Sequence, residues 1–414
     1  MKQQRLAWLT VAGLWLTLAI MFGSVLPTQG LYYRPISAVF HTSREGVAMI
    51  SSLSAIGMCA GGLLAGALML WLDARRVIMI GAVLSGLSFF AAGRAPTFSA
   101  LLYSNLLVGL GGGLGGLVPV SFIVGNWFGR RPGLAMGVAM AGTSLGGSVM
   151  VMIVNSLIVH FGWRISYQAM GFAPFVIVLP LMLVLRSAPP APRADERVAT
   201  SALPGLELPP ALRTREFWII VATEWGAGAA AGAVVPHLPA YLTGIGYRSG
   251  EAALAVSVVL GITSLGKVTL GLLADRRSGR LATVINCLLE GLGGMLLIGA
   301  ARSGFLLPAL VFYGLTWGTP LALLPVLTIE TLGLKRYGLI AGLSNLALTI
   351  GQASGSLLAG WTFDRTGGYA DAYVVMALAL LINAVAVAAC RPLSALQEQA
   401  RPASPAAPAS AALP

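Results

Sequence analysis

Charge is what this sequence has least of. Only 10% of its 414 residues are Asp, Glu, Lys or Arg, against about a quarter in soluble domains. Apolar residues make up 57%, and the mean hydropathy is +0.84, which excludes an ordinary soluble globule. Cysteine is nearly as scarce. Cys59, Cys287 and Cys390 stand singly in apolar stretches, with neither paired spacing nor a histidine nearby for a metal site. The first apolar run lacks a credible cleavage site, so it is expected to stay as a span rather than leave as a signal. No strand precedes the glycine clusters, as a dinucleotide or P-loop motif would require. No constellation of nucleophile, base or metal ligands is visible either, so neither an enzyme nor a cofactor is expected.

What is present is a series of apolar runs of about 20 residues, the length needed to cross a hydrocarbon core of roughly 30 Å. Twelve spans are expected, at 7–29, 47–70, 76–93, 98–124, 134–156, 163–185, 217–241, 251–274, 281–301, 305–329, 338–361 and 371–390. The fold class is therefore an all-α polytopic membrane protein in the lipid bilayer. The net charge of +12 is topological rather than a nucleic-acid footprint. With the N-terminus placed in the cytoplasm, eighteen of the 26 basic residues fall on cytoplasmic segments and seven on outer ones, as the positive-inside rule demands. Lys267 is the remaining one.

Residues 186–216, rich in proline and charge, read as a cytoplasmic linker between an N-terminal bundle at 1–185 and a C-terminal bundle at 217–391. Residues 392–414 read as a disordered cytoplasmic tail rich in Pro, Ala and Ser. Two halves of six spans are the pattern of a carrier with its site at the interface between repeats. An internal echo supports that pattern: Gly66 to Arg76 after span two matches Gly271 to Arg277 after span eight. Glycine-rich spans four (Gly109 to Gly116) and five (Ala135, Ala139, Gly142, Gly146) are read as close-packing faces.

Lys267 is the first candidate for a binding site, because a charge at membrane depth normally faces a cavity or a partner. It lies eight residues before Asp275, and Glu224 lies eight after Glu216, so both sit roughly 12 Å inside their helix ends at about 1.5 Å per residue. Two readings stand. Either Lys267 attracts an anionic substrate and Glu224 carries a coupled proton, or the two neutralise each other as a buried pair, with Glu290 as a third member. His237, between Pro236 and Pro239, is a further candidate for proton coupling. Polar stripes on span one (Thr10, Gly13, Thr17, Ser24, Thr28) and span eleven (Gly342, Asn345, Thr349, Gln352, Ser356) fit either a water-lined pathway or interhelical hydrogen bonding.

Asn126, Trp127, Phe128, Gly129, Arg130, Arg131, Pro132, Gly133, Leu134, Ala135, Met136 and Gly137 join spans four and five, with Gly142 and Gly146 beyond. This stretch resembles the monocarboxylate transporter family and its bacterial oxalate:formate antiporter relatives within the major facilitator superfamily. Gly30 to Pro35, Leu212 to Trp218 and Asp364 to Tyr369 are similar to the same families, so the resemblance covers almost all of residues 1–390. It implies two pseudo-symmetric six-helix bundles. It also implies cationic side chains for organic anions: Arg34 on helix one and Lys267 on helix eight. Gly271, Asp275 and Arg276 resemble the facilitator loop signature and are expected to gate. In the first copy Leu70 and Trp71 replace the Asp-Arg pair. Asn105, Tyr313 and Trp317 are expected to line the cavity, because spans one, four, seven and ten face it in the resembled fold. Thr263 stands where many monocarboxylate carriers have Asp, and Ser344 where oxalate exchangers have Lys, which favours a monoanion held by one cation.

The expected function is secondary active transport of a small organic anion, a monocarboxylate in the first place, by alternating access with proton coupling (symport) or exchange (antiport). A monomeric functional unit in the plasma membrane of a bacterium, the inner membrane, with both termini cytoplasmic, is expected. Two rivals remain: an exporter of drugs or other hydrophobic solutes on the same fold, and a membrane sensor or receptor that transports nothing.

Overall fold

In lipid an apolar segment satisfies its backbone internally only as a helix or a closed barrel, and this chain is helical. A computed structural model describes residues 2–25, 27–42, 44–129, 131–187, 205–301 and 304–395. Residues 188–204 of the expected linker, 396–414 of the expected tail, and Arg130 lie outside the described residues. Among those described, nine helical stretches are long and apolar enough to cross a membrane: Gln4–Met21, Met49–Leu68, Ala74–Gly93, Phe98–Phe128, Gly133–Val184, Arg215–Val234, Leu254–Arg276, Gly279–Ile298 and Ala370–Ala388. A tenth is the pair Leu306–Thr316 and Pro320–Leu332, bent by 42°.

Gly133–Val184, at 52 residues, holds two spans. They part at Gly162, whose φ of 81° is a value glycine adopts without the strain of a Cβ. With the 30-residue helix Tyr337–Thr366 the count is the expected twelve, numbered here span 1 to span 12 in chain order. Span 1 differs from expectation. Its helix, Lys2–Met21, stops well short of residue 29, and a separate helix Gln29–Phe40 follows. Pro27 offers no N–H to continue the helix, and Gly23 there packs closely on Gly147 of span 5.

The core shows how the halves are arranged. One buried cluster joins Leu14, Met136, Ala139 and Met140 of the first half to Ala274, Ala322, Leu323 and Val326 of the second. It lies at the end that holds the linker. Away from that end each half has its own core: Val25, Ile36, Phe89 and Tyr167 in the first, Ala229, Val259, Tyr313 and Tyr373 in the second. The described halves therefore pack together at the linker end and on themselves at the other. The periphery is apolar: Val184 is 80% exposed and Leu357 74%, a surface suited to acyl chains rather than water.

Ionic contacts gather at the linker end. Glu207 accepts from Arg336 Nε at 2.6 Å and pairs with Lys335 Nζ at 3.1 Å, and Arg336 first, then Lys335, holds its carboxyl below the ordinary glutamate range. Arg391 Nε donates to Glu216 at 3.0 Å, joining the end of span 12 to the start of span 7. The linker's last residues are thus tied to the turn between spans 10 and 11.

Candidate functional site

The seam between the halves is made by paired glycines. A Cβ built on Gly271 of span 8 would land on the Gly133 carbonyl oxygen of span 5, and one on Gly66 of span 2 would land on the Gly338 carbonyl of span 11. Gly66 and Gly271 hold equivalent places in the internal echo, so the two contacts are counterparts. Only one is clamped by a carboxylate. Asp275 accepts from the backbone N–H of Gly133 at 2.6 Å and of Leu134 at 2.7 Å, placing negative charge on unpaired donors at a helix start. Leu70 stands at the equivalent place in the other copy, and Asp73 instead takes Arg75 Nε at 2.8 Å within its own half. Arg276 is exposed.

One turn further into the membrane, Gly137 of span 5 packs on the Lys267 backbone. Here span 5 departs from α geometry in a π-helical turn, Gly142–Gly146, of the kind often found at functional sites. Gly142 and Gly146 press against Trp15 and Ala19 of span 1, while Thr143 and Ser144 turn toward span 8. The ammonium of Lys267, 1% exposed, donates to Thr143 Oγ1 at 2.7 Å, to Ser144 Oγ at 2.7 Å and to the Met140 carbonyl at 3.3 Å. All three acceptors are neutral and all belong to the first half. Of the three acceptors' residues, Ser144 is the one that is only half-buried. On its other side lies the break in span 10, where Gly318, at φ 67°, approaches so closely that a Cβ would sit 3.7 Å from Lys267 Cε.

Glu224 does not neutralise Lys267. Ser344 Oγ of span 11 donates to Glu224 Oε1 at 3.0 Å, Oε2 has no hydrogen-bond partner, and among the described residues no ion pair joins the two charges. Glu224, 7% exposed, looks into a small cavity of about 30 Å³ between the halves, whose wall includes Ser121, Tyr337, Asn345 and Pro320. The buried-pair reading is thereby corrected: both charges belong to the second half, but Lys267 is held by span 5 and Glu224 by Ser344 of span 11. Glu290 is not a third member, since it accepts from Asn286 of its own helix at 3.2 Å.

Other expected lining residues are turned elsewhere. Asn105 donates to the Leu101 carbonyl at 2.9 Å and accepts from Tyr167 at 3.3 Å, inside the first half. Tyr313 donates to the Ala230 carbonyl at 2.9 Å, inside the second. A polar group in an apolar helix must find a partner, and these two find theirs within a half rather than at the seam. Trp317 flanks the span 10 break, with a buried Nε1 lacking a partner. Gln352 is exposed, although its backbone packs on Gly228 and Gly232. His237 Nε2 lies 3.2 Å from Ser356 Oγ, at the end away from the linker. Arg34 lies on the helix Gln29–Phe40, and its side chain is outside the described residues. The span 1 stripe is packing: Thr10 and Thr17 donate to carbonyls four residues back at 2.9 Å, and Gly13 faces Leu181 and Leu185. Sequence reasoning missed Thr143, Ser144, Ser121 and Tyr337. The one available signal was a hydroxyl pair between two glycines, Gly142 and Gly146.

The chain is 28% identical over 387 residues to monocarboxylate transporter 13 of Bos taurus, covering 90% of this chain and 87% of that one. It is 29% identical over 385 residues to monocarboxylate transporter 11 of Homo sapiens, covering 89% and 79%. In structure it resembles a single-site variant of the E. coli fucose:proton symporter FucP, with a TM-score of 0.71 at 17% identity, covering 92% of this chain and 97% of that one. The family model of the Major Facilitator Superfamily matches residues 6–356, and the chain belongs to that superfamily as a multi-pass membrane transporter.

Proposed function

We propose that this transporter carries a small organic anion, a monocarboxylate, by alternating access, with a proton or a second anion as its counterpart. The observation that carries the reading is the ammonium of Lys267: a buried cation at the seam, held by neutral oxygens of the opposite half. A charge without an opposite charge in a low-dielectric site favours an incoming anion. A carboxylate arriving from the open end takes the place of the half-buried Ser144 hydroxyl, and the bond it replaces is one that ties the halves together. Binding and release of the seam are thus linked, as coupling by differential affinity for two states requires. The similarity to monocarboxylate transporters supports the substrate class.

Glu224 is the proton carrier in this reading, and Gly271 with Asp275 the gate at the linker end. The eighteen-to-seven distribution of basic residues supports a cytoplasmic linker end, so in this reading the end closed by the paired glycines faces the cytoplasm. Counterflow into proteoliposomes against a carboxylate panel tests the substrate. Saturable uptake of labelled short monocarboxylates, competed by one another more than by dicarboxylates, is the expected result. Uptake indifferent to every carboxylate sinks the reading and favours export of hydrophobic solutes.

A further inference from the structure

Ser121 belongs to span 4 and Glu224 to span 7, so they sit on opposite halves, yet they share the wall of one cavity. Glu224 Oε2 is buried without any hydrogen-bond partner, and Ser121 Oγ, also buried, has only the neighbouring Tyr337 hydroxyl, in a contact too poorly aligned to satisfy it. The residues are 7% and 1% exposed. Natural interiors rarely leave such atoms unpaired, and a buried water is the usual partner. The cavity, about 30 Å³, holds one or two waters at roughly 10–15 Å³ each.

We propose that Glu224 and Ser121 hold water between them across the seam, and that this water-linked carboxyl is the transporter's proton-binding site, assembled only while the linker end is shut. An incoming hydronium gives its proton to Glu224 Oε2. An O–H bond forms there, and the water left behind stays hydrogen-bonded to Ser121. The other groups that face Glu224 are neutral. Span 11 contributes Ser344, Asn345 and Tyr337, which is the other titratable group on the wall among the described residues. Span 10 contributes Pro320, Leu324 and Thr328, span 4 adds Leu117 and Val118, and Asn383 of span 12 donates to the Ala222 carbonyl. When the halves part at the linker end, Ser121 leaves with the first half and Glu224 meets solvent on that side, where the proton departs. Proton release therefore follows from the motion that releases substrate.

This rests on the proton-coupled form of the proposed function, so the experiment scores the two separately in the same proteoliposomes. Counterflow without a pH gradient reports the anion site, and uptake driven by a pH gradient reports the proton. Ser121→Ala is expected to lower the ratio of gradient-driven uptake to counterflow at least fivefold, Glu224→Gln to do the same, and Ser121→Thr to restore the ratio. Independently of any substrate, the infrared C=O band of the protonated carboxyl that Glu224→Gln removes is expected to shift in Ser121→Ala. An unchanged ratio with an unshifted band overturns the proposal. So does wild-type uptake that ignores the pH gradient, which leaves the anion-carrier reading standing as long as counterflow persists. Absent counterflow with a shifted band overturns the carrier reading and keeps the proton site.

Discussion

Lys267→Ala is expected to reduce carboxylate counterflow about 10- to 100-fold. Each hydrogen bond to a charged group is worth about 1.5–3 kcal/mol, and about 1.4 kcal/mol is a factor of ten in binding. The variant also removes three contacts that hold span 8 to span 5, two of them to its π-helical turn, so a folded, monodisperse preparation is part of the measurement. Lys267→Arg keeps the charge but brings a planar fork in place of a compact ammonium. Thr143 and Ser144 cradle a point donor at 2.7 Å each, so arginine is expected to retain an intermediate rate. Alanine and arginine variants that both run at the wild-type rate would show that this ammonium is structural.

The second large effect concerns closure. Gly271→Leu sets a side chain against the Gly133 carbonyl, and backbone has nowhere to yield without separating spans 5 and 8. The linker end then stays open. In a background with Cys59, Cys287 and Cys390 replaced by serine, a cysteine introduced as Ala341→Cys, on the wall of the Glu224 cavity, is expected to react with a membrane-impermeant thiol reagent added on the linker side at least tenfold faster in Gly271→Leu. Transport falls by a similar factor. Gly261→Leu is the control, because nothing stands within 4 Å of the position its Cβ would take. Equal labelling in both variants would mean that the glycine contact does not hold that end shut.

Much of this architecture was legible in the residues, for a physical reason. Hydrocarbon imposes length and apolarity on every span, and so the spans announce themselves. Lys267 was legible in the same way, as a charge where charge is costly. Its partners were not. Thr143 and Ser144 lie 124 and 123 residues away, and they meet the ammonium from a π-helical turn. Hydropathy does not encode that turn. Asn105 and Tyr313 show the opposite limit, since a polar side chain in an apolar helix signals that it needs a partner without saying whether that partner is water, substrate or a neighbouring carbonyl. Glu224 was legible as a carboxylate inside an apolar span, but its pairing depends on which way span 7 faces, and Ser344 Oγ of span 11 is the group it meets. The early end of span 1 had its cause in view at Gly23 and Pro27, where apolarity alone carries the reading past the break.

Anion transport by this chain depends on a carboxylate meeting the ammonium of Lys267. The most direct measurement is solid-state NMR of the reconstituted protein, with ¹⁵N in lysine side chains and ¹³C in the carboxylate of a bound monocarboxylate. Dephasing of the Lys267 Nζ signal consistent with a charge-assisted hydrogen bond, about 2.7–2.9 Å from nitrogen to oxygen, is the expected result. A saturated carrier in which that signal shows no contact with the labelled carboxylate, the ammonium still held by Thr143 and Ser144, would contradict it.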